Sequence, residues 1–383
     1  MEVTFHSDPA GLAPLVPEWQ SLAARAVEPN PFYEDWMVLP ALEAFGAAGM
    51  AFASVRERGE LVGLFPLVRR ARFRGLVRTL QSWRHAHSML GVPLLRGERA
   101  AEVLTAFFEA ARAEADLVEF SHLPSEGPFE HALIEALGSH RVTLADGRHT
   151  RPLLRRAADG DAYVRSVLSS DTRSEARRNE KRLAAQGRVE RRVLRAGDDV
   201  GRWIEEFLAL EASGWKGRQG SALACNAANR RFAEAIFRGG FERGRLAMVG
   251  LDLDGRPIAR YTAFVGGAGA FAFKTTFDEG LRSFAPGILA EIDMIKALHE
   301  RPGLEWADSY TDPGNTTLGR FWKSRRAVQR LAVGLSPAGE LLLALAPLAR
   351  WIRRRLPRLQ WRRAGRAAAS PSAPTRRKAL QPQ

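Results

Sequence analysis

Apolar and polar positions follow one order twice along the chain. Ala51 to Val55 is apolar, Arg56 to Glu60 is polar and holds Gly59, and Leu61 to Val68 is apolar again. Leu246 to Leu251, then Asp252 to Arg256 with Gly255, then Pro257 to Phe264 repeat that order. Two short apolar runs around a polar turn with Gly predict a β-hairpin, most strongly at Asp254-Gly255. The hairpins superpose without a gap, Gly59 on Gly255 and Val62 on Ile258. Two hairpins can resemble one another by chance, but the segments downstream of them are also similar. After the second, Ala270 to Phe277 predicts a third strand. Pro286-Gly287 opens a helix with apolar residues at Ile288, Leu289, Ile292, Ile295 and Leu298. Leu304 to Ser309 predicts a strand, Thr316 to Arg325 a helix and Val328 to Val333 a closing strand. In the first half, Arg99 to Glu114 predicts a helix, Leu117 to Ser121 a strand, Phe129 to Leu137 a helix and Val142 to Leu144 a strand. This order predicts an α+β chain of two similar units, residues 1–150 and 151–335, with a short basic segment and tail over 336–383.

Composition agrees with a folded protein. The chain has 383 residues, 45% hydrophobic and 26% charged, which excludes a disordered or fibrous class. One cysteine, Cys225, excludes an internal disulfide framework and a cysteine-based zinc site. Net charge is +14, which invites a nucleic-acid or anionic-membrane reading. The distribution changes that picture. Eleven basic residues and no acidic ones lie between Arg350 and Gln383, and residues 1–349 carry only +3. Ala367 to Gln383 is rich in Ala, Ser and Pro and predicts disorder. Leu341 to Ala349 is apolar, is interrupted by Pro347 and leads into Arg350, Trp351 and Arg353 to Arg355. It is too short to cross about 30 Å of hydrocarbon. Two readings stand: a last helix packed on the body before a solvated arm, or peripheral contact with an anionic membrane through 341–363. The first residues, Met1 to His6, lack a basic region followed by an apolar one, and no 18-residue apolar run occurs. A cytoplasmic location is expected, with the inner face of the membrane as the alternative placement.

Three clusters hold candidate chemistry. Phe271 to Ala290 runs as strand, polar loop and Pro-Gly helix start. The N–H groups of Gly287, Ile288 and Leu289 at that start predict a pyrophosphate site. Glu211 to Ser221 places three glycines around Trp215, Lys216 and Arg218. There Trp215 is either a stacking face or packed on the body. Asp308 and Tyr310 lie two apart at a strand end, on one face, where a carboxylate serves as base and a phenol as acid. Lys323 comes later as a cation for a phosphate, and Asn315 to Thr317 fits a helix cap equally well. Between the units, Arg173, Arg177 and Lys181 recur every four residues beside Arg178 and Arg182. That stripe either binds phosphate or is a solvated face paired with Glu175 and Glu180. The eight histidines are scattered apart from His85 and His87, so no metal site is expected.

Together these residues resemble the CelD/BcsL acetyltransferase-like family of the GNAT superfamily, whose neighbours are the FemABX peptidyltransferases built from two GNAT-like units. Trp215-Lys216, Phe277-Asp278-Glu279, Ser283, Ala285-Pro286-Gly287, Asp308 and Lys323 carry the resemblance. Asn30-Pro31-Phe32 with Trp36, His87-Ser88 and Gly91-Val92-Pro93-Leu94 add to it. It covers residues 15–335. The usual Q/R-x-x-G-x-G/A loop is replaced by Arg282-Ser283-Phe284-Ala285-Pro286-Gly287. The resemblance implies two tandem GNAT-like units with mixed central sheets. It also implies transfer of an acyl group from acyl-CoA, acetyl-CoA in the simplest case, to an amine on a sugar or surface-polysaccharide precursor. Under it, Asp308 or Asp278 is the expected base, and Tyr310 a catalytic partner. Ser283, Pro286, Gly287, Ile288 and Lys323 are expected to hold the cofactor. Trp215, Lys216, Lys274 and His87 are expected to line the acceptor cleft, with Lys274 alternatively neutralising Asp278. The first unit, which has no Pro-Gly loop, is expected to shape that cleft. Two other functions remain open: a FemABX-like transferase taking its donor from tRNA, the one case that brings in nucleic acid, and a non-catalytic scaffold of polysaccharide machinery.

Overall fold

The computed structural model describes residues 1–72, 75–139, 141–311 and 317–355. Met1–Ala344 forms one compact body, and the chain from Leu345 onward forms a second unit. The expected cap at Asn315 to Thr316 and the tail beyond residue 355 lie outside the described residues, as does the 356–363 part of the expected membrane contact.

Among the described residues, fourteen strands build two sheets. The smaller has the order β1-β2-β3-β6, from β1 (Glu2–His6), β2 (Phe52–Glu57), β3 (Glu60–Phe65) and β6 (Leu94–Leu95). The larger has ten strands in the order β4-β5-β7-β14-β8-β13-β12-β11-β10-β9. Its members from the first half are β4 (Leu67–Arg72), β5 (Val77–Ser82), β7 (Leu117–Pro124) and β8 (Thr143–Arg155). The second half adds β9 (Val189–Val193), β10 (Leu246–Leu253), β11 (Arg256–Gly266), β12 (Gly269–Phe277), β13 (Trp306–Asp308) and β14 (Ser324–Gly334). Both sequence-predicted hairpins form, β2–β3 and β10–β11. Each turns through two residues of positive φ, Arg58 and Gly59 in one, Asp254 and Gly255 in the other. That pair of left-handed residues matches the right-handed twist of the flanking strands. Pairing is mostly antiparallel, but β5–β7 and β12–β13 are parallel, so the large sheet is mixed.

β8 and β14 differ most from the local pattern. β8 extends to Arg155 although its sequence is polar, and residue 150 lies within it. β14 begins at Ser324, just after a short helix, Thr317–Phe321. β14 pairs β7 on one side and β8 on the other, so the end of the second half closes against the first. Non-local pairing on both sides holds such strands where intrinsic propensity does not. β13 then pairs β8 on its other side, with Asp308 opposite Leu153. This seam places Asp308 in the middle of the large sheet.

The N-terminal motifs serve this seam. The Asn30 amide donates to the Val92 carbonyl at 2.8 Å and its oxygen accepts from Phe32 N–H at 3.1 Å. The Phe32 ring stacks on Tyr310, with centroids 4.0 Å apart. Gly91 passes so close to β7 that an added Cβ would stand 2.1 Å from the Ser121 carbonyl oxygen.

Candidate functional site

The loop from Asp278 to Gly287 sets the site. Asp278 caps a short 3-10 turn by accepting from Gly280 N–H at 2.9 Å. The turn ends at Ala285 in the left-handed conformation, φ 52°, from which the helix Pro286–His299 departs. Pro286 has no N–H to leave unmet. Ile288 and Leu289 N–H both donate to the Ala285 carbonyl, at 3.0 and 3.3 Å. Three free amides were expected here, but the tightened first turn uses two of them. Gly287 N–H therefore remains as the free donor of the three at the positive end of the helix. Gly287 also lies close beneath Phe277, where a Cβ would stand 3.0 Å from the ring.

That helix start forms one wall of a cleft of about 600 Å3. Of the residues expected at the site, Trp215, Lys216, Lys274, Gly287 and Ile288 line it, and so does Arg282. Trp215 is 51% exposed at the rim, so its ring is open rather than packed on the body. Its backbone N–H donates to Glu279 at 2.7 Å, and Arg218 pairs with the same carboxylate at 2.5 Å. Glu279 thus ties the Trp215 turn to the loop before Gly287.

Beneath Trp215 lies buried Glu211. It accepts from Lys216 Nζ at 3.2 Å and from Leu223 N–H at 2.8 Å, with Lys274 Nζ at 3.5 Å. Burial lowers the Lys274 pKa, and Glu211 opposes that shift. Lys274 therefore neutralises Glu211, not Asp278. Asp278 pairs with Arg256 at 2.6 Å on the outside of the loop. His87 sits beside this cluster rather than in the cleft wall. Its ring stacks on Phe232 at 5.8 Å, and burial together with nearby Lys274 pushes its pKa down to about 4.

Asp308 and Tyr310 are brought together, but not toward the cleft. Asp308 and Arg151 are both fully buried and form a two-toothed pair, Nε to Oδ1 at 2.6 Å and Nη2 to Oδ2 at 2.7 Å. Arg326 approaches the same carboxylate at 3.3 Å and also pairs with Glu28, and Tyr310 N–H donates to Asp308 at 2.9 Å. A carboxylate enclosed by donors in this way is a structural ion and does not reach a substrate proton. The Tyr310 hydroxyl accepts from Met89 N–H at 2.6 Å and donates to the His87 carbonyl at 3.2 Å. Burial raises its pKa far from any acid role at neutral pH. Ser283 contributes its carbonyl to Arg182 at 3.4 Å, and exposed Lys323 does not line the cleft.

The cleft floor holds a residue that the sequence pattern did not single out. Glu291 is only 5% exposed and accepts from the Trp322 indole N–H at 2.7 Å, with the Tyr261 phenol beside it. Both neighbours are neutral, and burial pushes the Glu291 pKa up to about 7. Its signal was a carboxylate on the buried face of the helix, next to Ala290 and Met294. Among the described residues, no group of three His, Cys, Asp or Glu side chains could hold a metal ion.

Known proteins share this fold. Residues 170–317 match the family model described as acetyltransferase (GNAT) domain. No curated protein matches the chain. The solved structure of FemX aligns over 90% of this chain and 100% of its own, with 11% identity and a TM-score of 0.58. A conserved protein of unknown function from Bacteroides thetaiotaomicron VPI-5482 aligns over 88% of this chain and 100% of its own, with 13% identity and a TM-score of 0.56. The free Gly287 amide and Arg282 at one rim fit a diphosphate such as that of coenzyme A, which the fold implies. Residues 170–317 thus resemble a GNAT acetyltransferase domain, within a tandem GNAT-like α+β fold.

Proposed function

We propose that the cleft moves an acyl group from acyl-CoA, acetyl-CoA in the simplest case, to an amine. On the CelD/BcsL resemblance, the acceptor is an amino sugar or surface-polysaccharide precursor. One observation carries this reading: the free Gly287 N–H and Arg282 share the cleft with a buried carboxylate whose pKa stands near neutrality. Acyl-CoA supplies the activated thioester carbonyl. Gly287 N–H and Arg282 hold the diphosphate charge at the positive helix end. The acceptor nitrogen would bond the thioester carbonyl carbon as the carbon–sulfur bond breaks, and Glu291, half ionised near pH 7, would take the proton that the amine loses and pass it to the departing thiolate, which leaves as the CoA thiol. Trp322 keeps the Glu291 carboxylate oriented. Lys216 and Lys274, fixed by Glu211, present positive charge to the same cleft, which suits an acceptor with hydroxyl or carboxylate groups.

The experiment is an acyl-CoA melting series followed by a mass-spectrometric search for an acylated product in extracts. A ligand that binds the native state at a hundred times its Kd stabilises it by about 2.7 kcal/mol, a readily measured rise in Tm. No rise with any acyl-CoA, and no product, would overturn the reading. The exposed Arg177, Arg178 and Lys181 on the helix Ser170–Ala184 favour a second reading, a donor carried by tRNA. Steeply salt-dependent tRNA binding that R177E/R178E abolishes would favour it over acyl-CoA.

A further inference from the structure

We propose that the helix Pro337–Arg355 seats this protein on an anionic lipid bilayer. The proposal is independent of the acyl donor and acceptor.

Leu341, Leu345, Leu348 and Ile352 are spaced by four, three and four residues, which puts them on one helical face. Those four and the adjacent Trp351 are between 42% and 61% exposed. More than half of the large apolar side chains exposed among the described residues belong to this one helix. Arg350 lies nine residues after Leu341 and therefore on the opposite face of the helix from that stripe. Leu343, by contrast, is buried with Val77, Leu117 and Ala332, which fixes the start of the helix in the body. Among the described residues, no helix is long and apolar enough to cross a membrane.

Charge decides what covers the stripe. Eleven cations and no anions occupy the sequence from Arg350 to Gln383. A second copy of this chain would bring the same +11 against it and repel. A nucleic acid would answer the charge but leave four leucine and isoleucine side chains and a tryptophan in water. An anionic bilayer answers both: headgroups face the arginines, the apolar face enters the acyl boundary, and Trp351 sits at the interface where its ring is favoured.

The test is co-sedimentation of the full chain with vesicles of phosphatidylglycerol and phosphatidylcholine, against phosphatidylcholine alone. Binding is expected on the anionic vesicles, at least tenfold weaker on the neutral ones, and reduced by raising salt from about 50 to about 500 mM. L345E/L348E should lose at least tenfold in vesicle affinity with an unchanged Tm, because both side chains are exposed. Quenching of tryptophan fluorescence by brominated anionic lipid should fall in W351F. Absence of binding to the anionic vesicles overturns the proposal, as does equal binding by L345E/L348E. It is also overturned if the variant instead breaks a concentration-dependent dimer, or if tRNA binds and vesicles do not.

Discussion

Trp322 donates its indole N–H to the Glu291 carboxylate across 2.7 Å at the floor of the cleft, and among the described residues no cation offsets that buried acid. A base of this kind works only when ionised. With a pKa of about 7, kcat/KM should fall about tenfold per pH unit below neutrality and level off above it. E291Q should lower kcat about 10²–10⁴-fold, the usual worth of a positioned base, and should remove that acid limb. A variant that keeps the limb would place the titrating group elsewhere.

The same group shapes stability. Its folded value of about 7 stands above the ordinary carboxylate value of 4.5. The folded state therefore holds a proton that the unfolded chain releases. The stabilisation linked to that proton is fully present below about pH 4.5 and is lost as pH rises through about 7. Between about pH 5 and 8 the native chain should lose about 2–3 kcal/mol relative to E291Q. Urea unfolding of both proteins at the two pH values checks this, and parallel slopes would contradict it.

Arg151 and Asp308 make the opposite prediction. They are 157 residues apart in sequence, and both are fully buried. D308N leaves Arg151 without its charge partner in a low-dielectric seam, and the cost should be about 3–5 kcal/mol. Whatever protein stays folded should keep the pH profile of the parent, because Asp308 does not face the cleft. Denaturant midpoints together with kcat/KM per folded molecule separate the two effects. A changed pH profile would restore Asp308 as an acid–base group.

That contrast marks how much the sequence could reveal. The hairpins at Arg58-Gly59 and Asp254-Gly255 were legible because a turn of two left-handed residues is a local demand. Lys274, Gly287 and Ile288 could be read together because strand, loop and helix start succeed one another directly, whereas Trp215 and Lys216 reach the same cleft from a separate turn after another helix. Asp308 and Tyr310 read as open because their strand-end spacing is local, whereas their burial comes from Arg151, Arg326, Phe32 and Met89, none of them a chain neighbour. The same blindness hid β8, a polar strand held by β14 and β13. Glu291 stayed hidden because Ile288, Leu289, Ile292 and Ile295 set the helical period around it, and a single charge does not disturb a period.

Gly287 permits a test of the helix start. An added Cβ would stand 3.0 Å from the Phe277 ring and would crowd the free amide. G287A should raise the Kd for acyl-CoA about tenfold, about 1.4 kcal/mol. Its own stability should change by no more than about 1 kcal/mol, since Ala favours the helix while the contact opposes it. Isothermal titration with acetyl-CoA, alongside the Tm of the free protein, distinguishes a lost donor from a misfolded loop. Unchanged affinity would remove Gly287 from the diphosphate site.

At Trp215, exposure separates binding from folding. The residue is held by its backbone, whose N–H bonds Glu279, and not by packing of its ring. Replacing an exposed side chain away from caps and cores shifts stability by about 0.5 kcal/mol or less. W215A should therefore leave Tm nearly unchanged. If the ring covers a bound ligand at the rim, the same variant should raise KM about ten- to a hundredfold, the loss of roughly 1–3 kcal/mol of stacking. W215F should recover most of that, since it keeps a face of similar chemistry. Equal KM values for all three proteins would show that the exposed ring is idle. A large fall in Tm for W215A would show instead that the Trp215 turn, with Glu279 and Arg218, is a structural latch on the loop.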